Sequence, residues 1–231
     1  AHTQACEFFQ IALEHGGVLA RSSEADLLEL VATEYYLVDR LDDAILACRS
    51  AMRIRQELGA SVAVSADHHS LAVYEWYNGN RTAADEHVAE AIATLDDDAA
   101  QNDSARLRQL GHAFAMQAFL AVQSSQIEAA TRLLVHADDI ASDVGDPTLS
   151  VRVLLNECLC RMSAGEQSAR DRLLSVLSGG PPDIDETYST GYTNLTYIDV
   201  EQRRLGAAAA LLEVSIPLMV EHDLPICRVV Q

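Results

Sequence analysis

The chain has 231 residues, among them 16 arginines, no lysine and 35 acidic side chains, for a net charge of −19 with histidines neutral. So acidic a chain repels phosphate backbones, which excludes this segment as a grip on nucleic acid or on an anionic membrane. A content of 49% hydrophobic and 22% charged residues is that of a core-forming protein; few aromatics and prolines beside abundant Ala and Leu predict an all-α fold.

Apolar periodicity and turn residues predict helices at about 2–17, 24–39, 42–58, 61–78, 81–96, 104–123, 126–143, 148–163, 167–178, 185–202 and 205–222. Gly59, Asp96-Asp97-Asp98, Gly145-Asp146-Pro147 and Gly179-Gly180-Pro181-Pro182 punctuate them. The last is the strongest break: a hinge near 179–183 or a long loop inside one helical-repeat domain spanning 1–231. Pro217 removes a backbone donor and is expected to kink the final helix. The longest apolar run near the C-terminus, Ala207 to Leu212, is far too short for a membrane span, and no basic then apolar leader opens the sequence. A first residue that is not Met and an apolar ending at Ile226 and Val229-Val230 lead us to expect a fragment of a longer chain.

The helices repeat as pairs. Five polar turns join them, at Asp39-Arg40-Leu41-Asp42-Asp43-Ala44, Gly79-Asn80-Arg81-Thr82-Ala83-Ala84, Ser125-Gln126-Ile127-Glu128-Ala129-Ala130, Gly165-Glu166-Gln167-Ser168-Ala169-Arg170 and Arg203-Arg204-Leu205-Gly206-Ala207-Ala208. Their last residues lie 40, 46, 40 and 38 apart, a helix-pair period. In the first unit Ala32 and Ala44 are small enough for two helices to cross closely, with Tyr35, Cys48 and Ala51 around them. This pattern resembles the tetratricopeptide repeat, which implies a right-handed α-solenoid of about five helix pairs. The second unit keeps Leu71-Ala72, Ala84, Val88 and Ala91 but has Glu75 where an aromatic is expected; the fifth has Asp199 there. Either these two carboxylates point into a polar channel or the register slips by one. Gln117 and Glu157 also depart from the pattern, and the fourth unit has no settled register.

Several stretches resemble the helical-repeat region of large LuxR-type transcription regulators that carry a signal-transduction ATPase module. They are Ala1-His2 to Leu13, Tyr36-Leu37-Val38-Asp39-Arg40-Leu41-Asp42-Asp43-Ala44-Ile45, Trp76-Tyr77-Asn78-Gly79-Asn80-Arg81-Thr82-Ala83-Ala84, Gly191 through Gln202, Ser215-Ile216-Pro217 and Asp223-Leu224-Pro225. The resemblance implies a non-catalytic sensor region that binds an inducer or partner protein and relays this to ATPase and DNA-binding modules outside the segment. No Gly-x-x-x-x-Gly-Lys-Ser/Thr loop is present and there is no lysine to build one, so no cofactor is expected here and ATP belongs to the parent protein only. A stand-alone adaptor for peptide segments of partner proteins is the alternative.

Catalytic and metal constellations are weak. Asp67-His68-His69 with Glu75 offers ligand types, but adjacent helical side chains diverge by about 100°, which splits any tetrahedral set. Cys158-x-Cys160 lacks the two-residue spacer and second pair of a zinc site. Cys6, Cys48, Cys158, Cys160 and Cys227 read as core residues of a reduced, cytoplasmic protein. No nucleophile elbow occurs, so no enzyme is expected. The aromatics stand out more: apart from Phe8 and Phe9, all ten fall in first helices of pairs. In tetratricopeptide-like solenoids these helices line the concave groove. Counted from the crossing alanine, Tyr36, His69, Trp76, Tyr77, Phe119 and Tyr197 fall on the groove side and are the candidate binding residues for a peptide, protein or small-molecule inducer. The competing reading is that these rings fill the inside of a tightly wound superhelix. Self-association is a further possibility for such a region.

Overall fold

A computed structural model describes residues 2–15, 19–96, 103–179, 186–222 and 224, and every element among them is a helix. In chain order they are α1 (His2–Glu14), α2 (Arg21–Leu37), α3 (Leu41–Glu57), α4 (Ser61–Tyr77), α5 (Arg81–Asp96), α6 (Ser104–Gln123), α7 (Ile127–Val144), α8 (Pro147–Ser163), α9 (Gln167–Gly179), α10 (Glu186–Glu201) and α11 (Leu205–Glu221). The eleven helices expected from periodicity are these eleven. The largest shift at a start is α2, which begins three residues early at Arg21. Cys227, most of the Asp96 to Asp98 loop, most of the 179–183 hinge and the apolar C-terminal residues lie outside the described residues.

The chain divides into two compact units, Ala1–Gln117 and Ala118–Gln231. In the first, α1 packs on α2, α2 pairs with α3, α3 packs on α4 and α4 pairs with α5. Cys6, Val31, Ala32, Tyr35, Tyr36, Ala44, Ile45, Cys48, Leu71 and Tyr74 make one buried cluster, with Ala32 and Ala44 both closed off from solvent as a tight crossing requires. Arg106, itself buried, donates twice to the Leu95 carbonyl at 3.0 and 2.6 Å, a cation placed on the negative end of α5. In the second unit α7 packs on α8, α8 pairs with α9, α10 pairs with α11, and α10 also packs on α8 and α9. Asp146 caps α8 by accepting from the Leu149 amide at 3.0 Å, followed by Pro147 at the first helical position.

The repeat is visible in the backbone itself. Each turn within a pair has one left-handed residue, at Asp39, Gly79, Ser125, Gly165 and Arg203, with φ of 62, 80, 60, 89 and 58°. At every one the same two bonds close the first helix: the left-handed residue's amide to the carbonyl three back, and the next amide to the carbonyl five back, as in Asp39 to Tyr36 and Arg40 to Tyr35. This is the Schellman closure, which satisfies carbonyls the helix end would otherwise orphan.

That frame settles the fourth unit. Counted from the left-handed residue, Ala44, Ala84, Ala130 and Ala208 all fall five positions on and all are buried. The fourth unit has Arg170 at that place, and buries Ala169, Leu173 and Leu177 instead. Its second helix opens with a bond from the Ala169 amide to the Glu166 carbonyl at 3.3 Å; the fifth unit makes the equivalent bond, Ala207 to Arg204 at 3.0 Å, and adds the four-residue bond from Ala208 that the first three units also make. The buried stripe is thus advanced by one residue, and Arg170 turns toward the following helix.

Candidate functional site

Helix α4 carries most of the side chains singled out by their chemistry. Asp67, His68 and His69 are consecutive, so each turns about 100° from the last and each meets a different helix. The Asp67 Oδ1 accepts from Arg55 Nη1 of α3 at 2.6 Å. The His68 and His87 Nδ1 atoms face each other at 3.0 Å between α4 and α5. His69 meets the ring of His112 of α6 edge-on, centroids 6.3 Å apart. Glu75 accepts from Arg49 of α3 at 2.8 Å. The four side chains on one helix therefore serve four different contacts, and among the described residues no group of three or more His, Cys, Asp or Glu could hold a metal ion.

The electrostatics of α4 follow from burial. Arg55 binds Asp67, Asp26 at 2.9 Å and Glu29, so one guanidinium serves three carboxylates. Asp67 is 2% exposed and its second oxygen has no hydrogen-bond partner. Burial, helped by the nearby Glu29 and Asp26 carboxylates and opposed by Arg55, pushes its carboxyl up to about 7. Burial also pushes the His68 and His87 imidazoles down, His68 further through His87 and His87 further through Arg49. The Cys48 thiol, bonded to the Asp67 carbonyl at 3.5 Å, is raised chiefly by burial and is inert.

Glu75 and Asp199 occupy equivalent places, four residues before the left-handed residue of their turns. Both are buried, at 4% and 0% exposure, so the register does not slip. Each takes one arginine from the second helix of the preceding pair, Arg49 for Glu75 and Arg170 for Asp199. Each also takes the residue after the left-handed position: Asn80 on Glu75 at 3.2 Å and Arg204 on Asp199 at 2.8 Å. The carboxylates are inter-pair ties.

The six groove candidates are divided four and two. Tyr36, His69, Trp76 and Tyr77 belong to the first unit, Phe119 and Tyr197 to the second. Tyr36 is buried and stacks on Tyr74 at 4.9 Å and Tyr77 at 5.8 Å, filling the core of its unit. His69, Trp76, Tyr77 and Phe119 are half-buried, and Tyr197 is exposed. Trp76 lies under the Arg81 guanidinium, 5.2 Å from its ring centroid. Trp76 and Tyr77 thus bring two partly open rings and a cation to the turn between α4 and α5. Sequence reading passed over Tyr74, His87 and Arg55. His87 had one signal available, its place on the apolar stripe one residue before Val88.

No protein-family model matches the chain, and a search of curated proteins finds no match. Likeness to solved structures is in shape. BtubC (BKLC) from P. vanneervenii superposes with a TM-score of 0.65 at 14% identity, over 96% of this chain and 92% of that one. A kinesin light chain of Podosopora anserina with nearly identical TPR-like repeats gives 0.53 at 17%, over 88% and 98%. This chain has a tetratricopeptide-like helical-repeat fold. Two Rap structures share it: a Rap protein complexed with Competence and Sporulation Factor (TM-score 0.56, 12% identity, 96% of this chain and 71% of that one) and RapI in its apo form (0.55, 15%, 92% and 58%). The chain spans little more than half the length of RapI. Among the described residues no helix is long and apolar enough to cross a membrane.

Proposed function

We propose that this chain is the non-catalytic sensor and interaction region of a larger cytoplasmic transcription regulator of the LuxR type, linked to an ATPase module. It takes a peptide, a partner protein or a small-molecule inducer on the faces of its first helices. Occupancy changes the curvature or self-association of the repeats, and this reaches the ATPase and DNA-binding modules outside the segment. The observation that carries the reading is the fold shared with a Rap protein whose structure holds Competence and Sporulation Factor. The two partly open rings and the arginine at the α4–α5 turn, Trp76, Tyr77 and Arg81, suit a partner that offers an apolar anchor and an acceptor. The link to transcription rests on the sequence resemblance.

The mass of the native gene product, compared with the 25.1 kDa of this chain, is the first test. A much larger product that binds DNA in a nucleotide-dependent way supports the regulator. A product of about 25 kDa overturns it and leaves the stand-alone adaptor. For the surface itself, Trp76→Ala should abolish inducer response while the helical melt is retained; an unchanged response removes the α4–α5 turn as the site.

A further inference from the structure

His68 diverges from its neighbour His69 on α4 but converges with a histidine of another helix. Its Nδ1 faces the Nδ1 of His87 on α5 at 3.0 Å, with the two rings tilted by 48°. Packing elsewhere in the pair sets this approach: Ala72 and Ala84 are closed from solvent, and the buried Ser65 donates to the Ala91 carbonyl at 2.7 Å. The imidazoles are held opposite one another by contacts that they do not themselves make.

The surroundings suit a cation. Burial favours the neutral form of both rings, which is the form that binds a metal. Glu90, one turn beyond His87 on α5, lies near enough to favour positive charge at both. Arg49 of α3 opposes it at His87, but its guanidinium is drawn to Glu75 at 2.8 Å. Asp67 turns to Arg55 on the other side of α4. His68 is buried and His87 half-buried, so an ion enters from the His87 side.

Distance selects the ion. With metal–nitrogen bonds of about 2.0 Å, two nitrogens 3.0 Å apart subtend about 97° at the metal. That is close to the right angle between adjacent ligands in square-planar or octahedral coordination, whereas a tetrahedral ion wants the nitrogens roughly 3.3 Å apart. Two protein ligands leave the remaining positions to water and, after a change of rotamer, to the Glu90 carboxylate.

We propose that His68 and His87 form a two-histidine clip for a late first-row divalent ion, nickel(II) or copper(II) in preference to zinc(II), which ties α4 to α5. In the neutral pair one ring donates its Nδ1 proton to the other. On binding, that proton passes through solvent to the donor ring's own Nε2, so both Nδ1 lone pairs take the ion and no net proton is released. Small rotations of the rings about χ2 turn the lone pairs from each other toward a common point. The clip lies within one helix pair, eight residues before Trp76 and so about 12 Å from it along α4, and it does not rest on the function proposed above.

The test titrates the whole untagged chain with NiCl2 and with ZnCl2 by isothermal calorimetry at pH 7.5. Wild type should bind nickel at a site that His68→Gln and His87→Gln each weaken at least tenfold and that His2→Gln and His69→Gln leave unchanged. Zinc should bind the same site several-fold more weakly. Saturating nickel should raise the melting temperature of wild type by several degrees and leave that of His87→Gln unchanged. Should Gln unsettle the helix pair, the wild-type chain answers alone: long-range 1H–15N spectra at saturating zinc should show His68 and His87 both protonated at Nε2, with both Nδ1 signals shifted. The proposal is overturned if wild type binds no nickel at micromolar concentrations, or if the site follows His2 or His69 and not these two, which places the ion on other histidines. It is also overturned if the spectra show the Nδ1 proton retained at saturating zinc, or if zinc binds more tightly than nickel, which would demand a tetrahedral site with further protein ligands.

Discussion

Arg170 of α9 grips Asp199 of α10 with both edges of its guanidinium, Nε donating to Oδ1 at 2.9 Å and Nη2 to Oδ2 at 2.6 Å, while Arg204 donates to Oδ1 at 2.8 Å. Asp199 is left with no exposed surface. Burial alone would raise its carboxyl; the two arginines outweigh that and hold it below the ordinary carboxylate range. Arg170→Ala strands half of a buried carboxylate, with Arg204 still in place. Removing one partner of a buried pair typically costs about 3–5 kcal/mol, and the remaining arginine brings the expected loss to about 2–3 kcal/mol in urea unfolding at pH 7. A depressed carboxyl contributes stability above its unfolded pKa that is lost as pH falls through the folded value. Acid unfolding of the variant should therefore start at higher pH than in wild type. The equivalent Arg49→Ala should lose only about 1 kcal/mol, because Arg49 is half-exposed and Asn80 also holds Glu75.

Asp67 carries the opposite sign. Its carboxyl is pushed up to about 7, so the folded chain binds this proton more tightly than the unfolded chain does. Stability linked to Asp67 is complete at low pH, begins to fall as pH rises past the ordinary carboxylate value near 4, and is gone above about 7. Asp67→Asn still accepts from Arg55 and has no charge to lose. Measured by thermal melts at pH 5 and pH 8, the fall in Tm from the lower to the higher pH should be smaller in the variant. Equal falls in the two proteins would show that Asp67 is ionised throughout.

The facing imidazoles of His68 and His87 act on the same window in reverse. Both are pushed down by burial, so the folded pair favours the neutral form, one ring donating its Nδ1 proton to the other. Their contribution is full above about 6.5 and is lost as pH falls below it, since the unfolded rings take up protons first. Asp67 and the histidines thus partly cancel in wild type between pH 5 and 7. His87→Gln removes one side of that balance. Its stability should fall less than that of wild type on going from pH 7.5 to 5.5, a difference readable in urea midpoints at the two pH values.

The paired helices were legible because small crossing residues and polar turns recur at a nearly fixed period, and packing at a crossing tolerates few alternatives at Ala32 and Ala44. The fourth unit was not, because Arg170 stands where the other four units have a buried alanine, and its buried stripe runs one residue earlier through Ala169 and Leu173. Glu75 and Asp199 looked out of place because their arginines lie 26 and 29 residues upstream, on the preceding pair. Among the candidate residues, spacing placed Trp76 and Tyr77 at the end of α4 but could not tell the buried Tyr36 from the exposed Tyr197. Counted from the left-handed residues the two are not equivalent, Tyr36 standing three before Asp39 and Tyr197 six before Arg203, and Tyr74 packs against Tyr36.

The five left-handed turn residues offer a last measurement. Asp39, Ser125 and Arg203 adopt φ near 60° with a β-carbon in place, which strains an L residue by roughly 1–2 kcal/mol. Glycine relieves that strain, although its freer unfolded state takes back part of the gain. Arg203→Gly and Ser125→Gly should each stabilise the chain by about 0.5–1 kcal/mol. Asp39→Gly should gain less, because Asp tolerates this conformation better than most residues do. At Gly165, where φ reaches 89°, no neighbouring atom would touch an added β-carbon, so the effect of a side chain there is conformational alone. Gly165→Ala should lose about 1 kcal/mol in chemical denaturation. A neutral result at Gly165 together with no gain at Arg203 would mean that the turns relax without penalty and that the shared closure contributes little to the repeat.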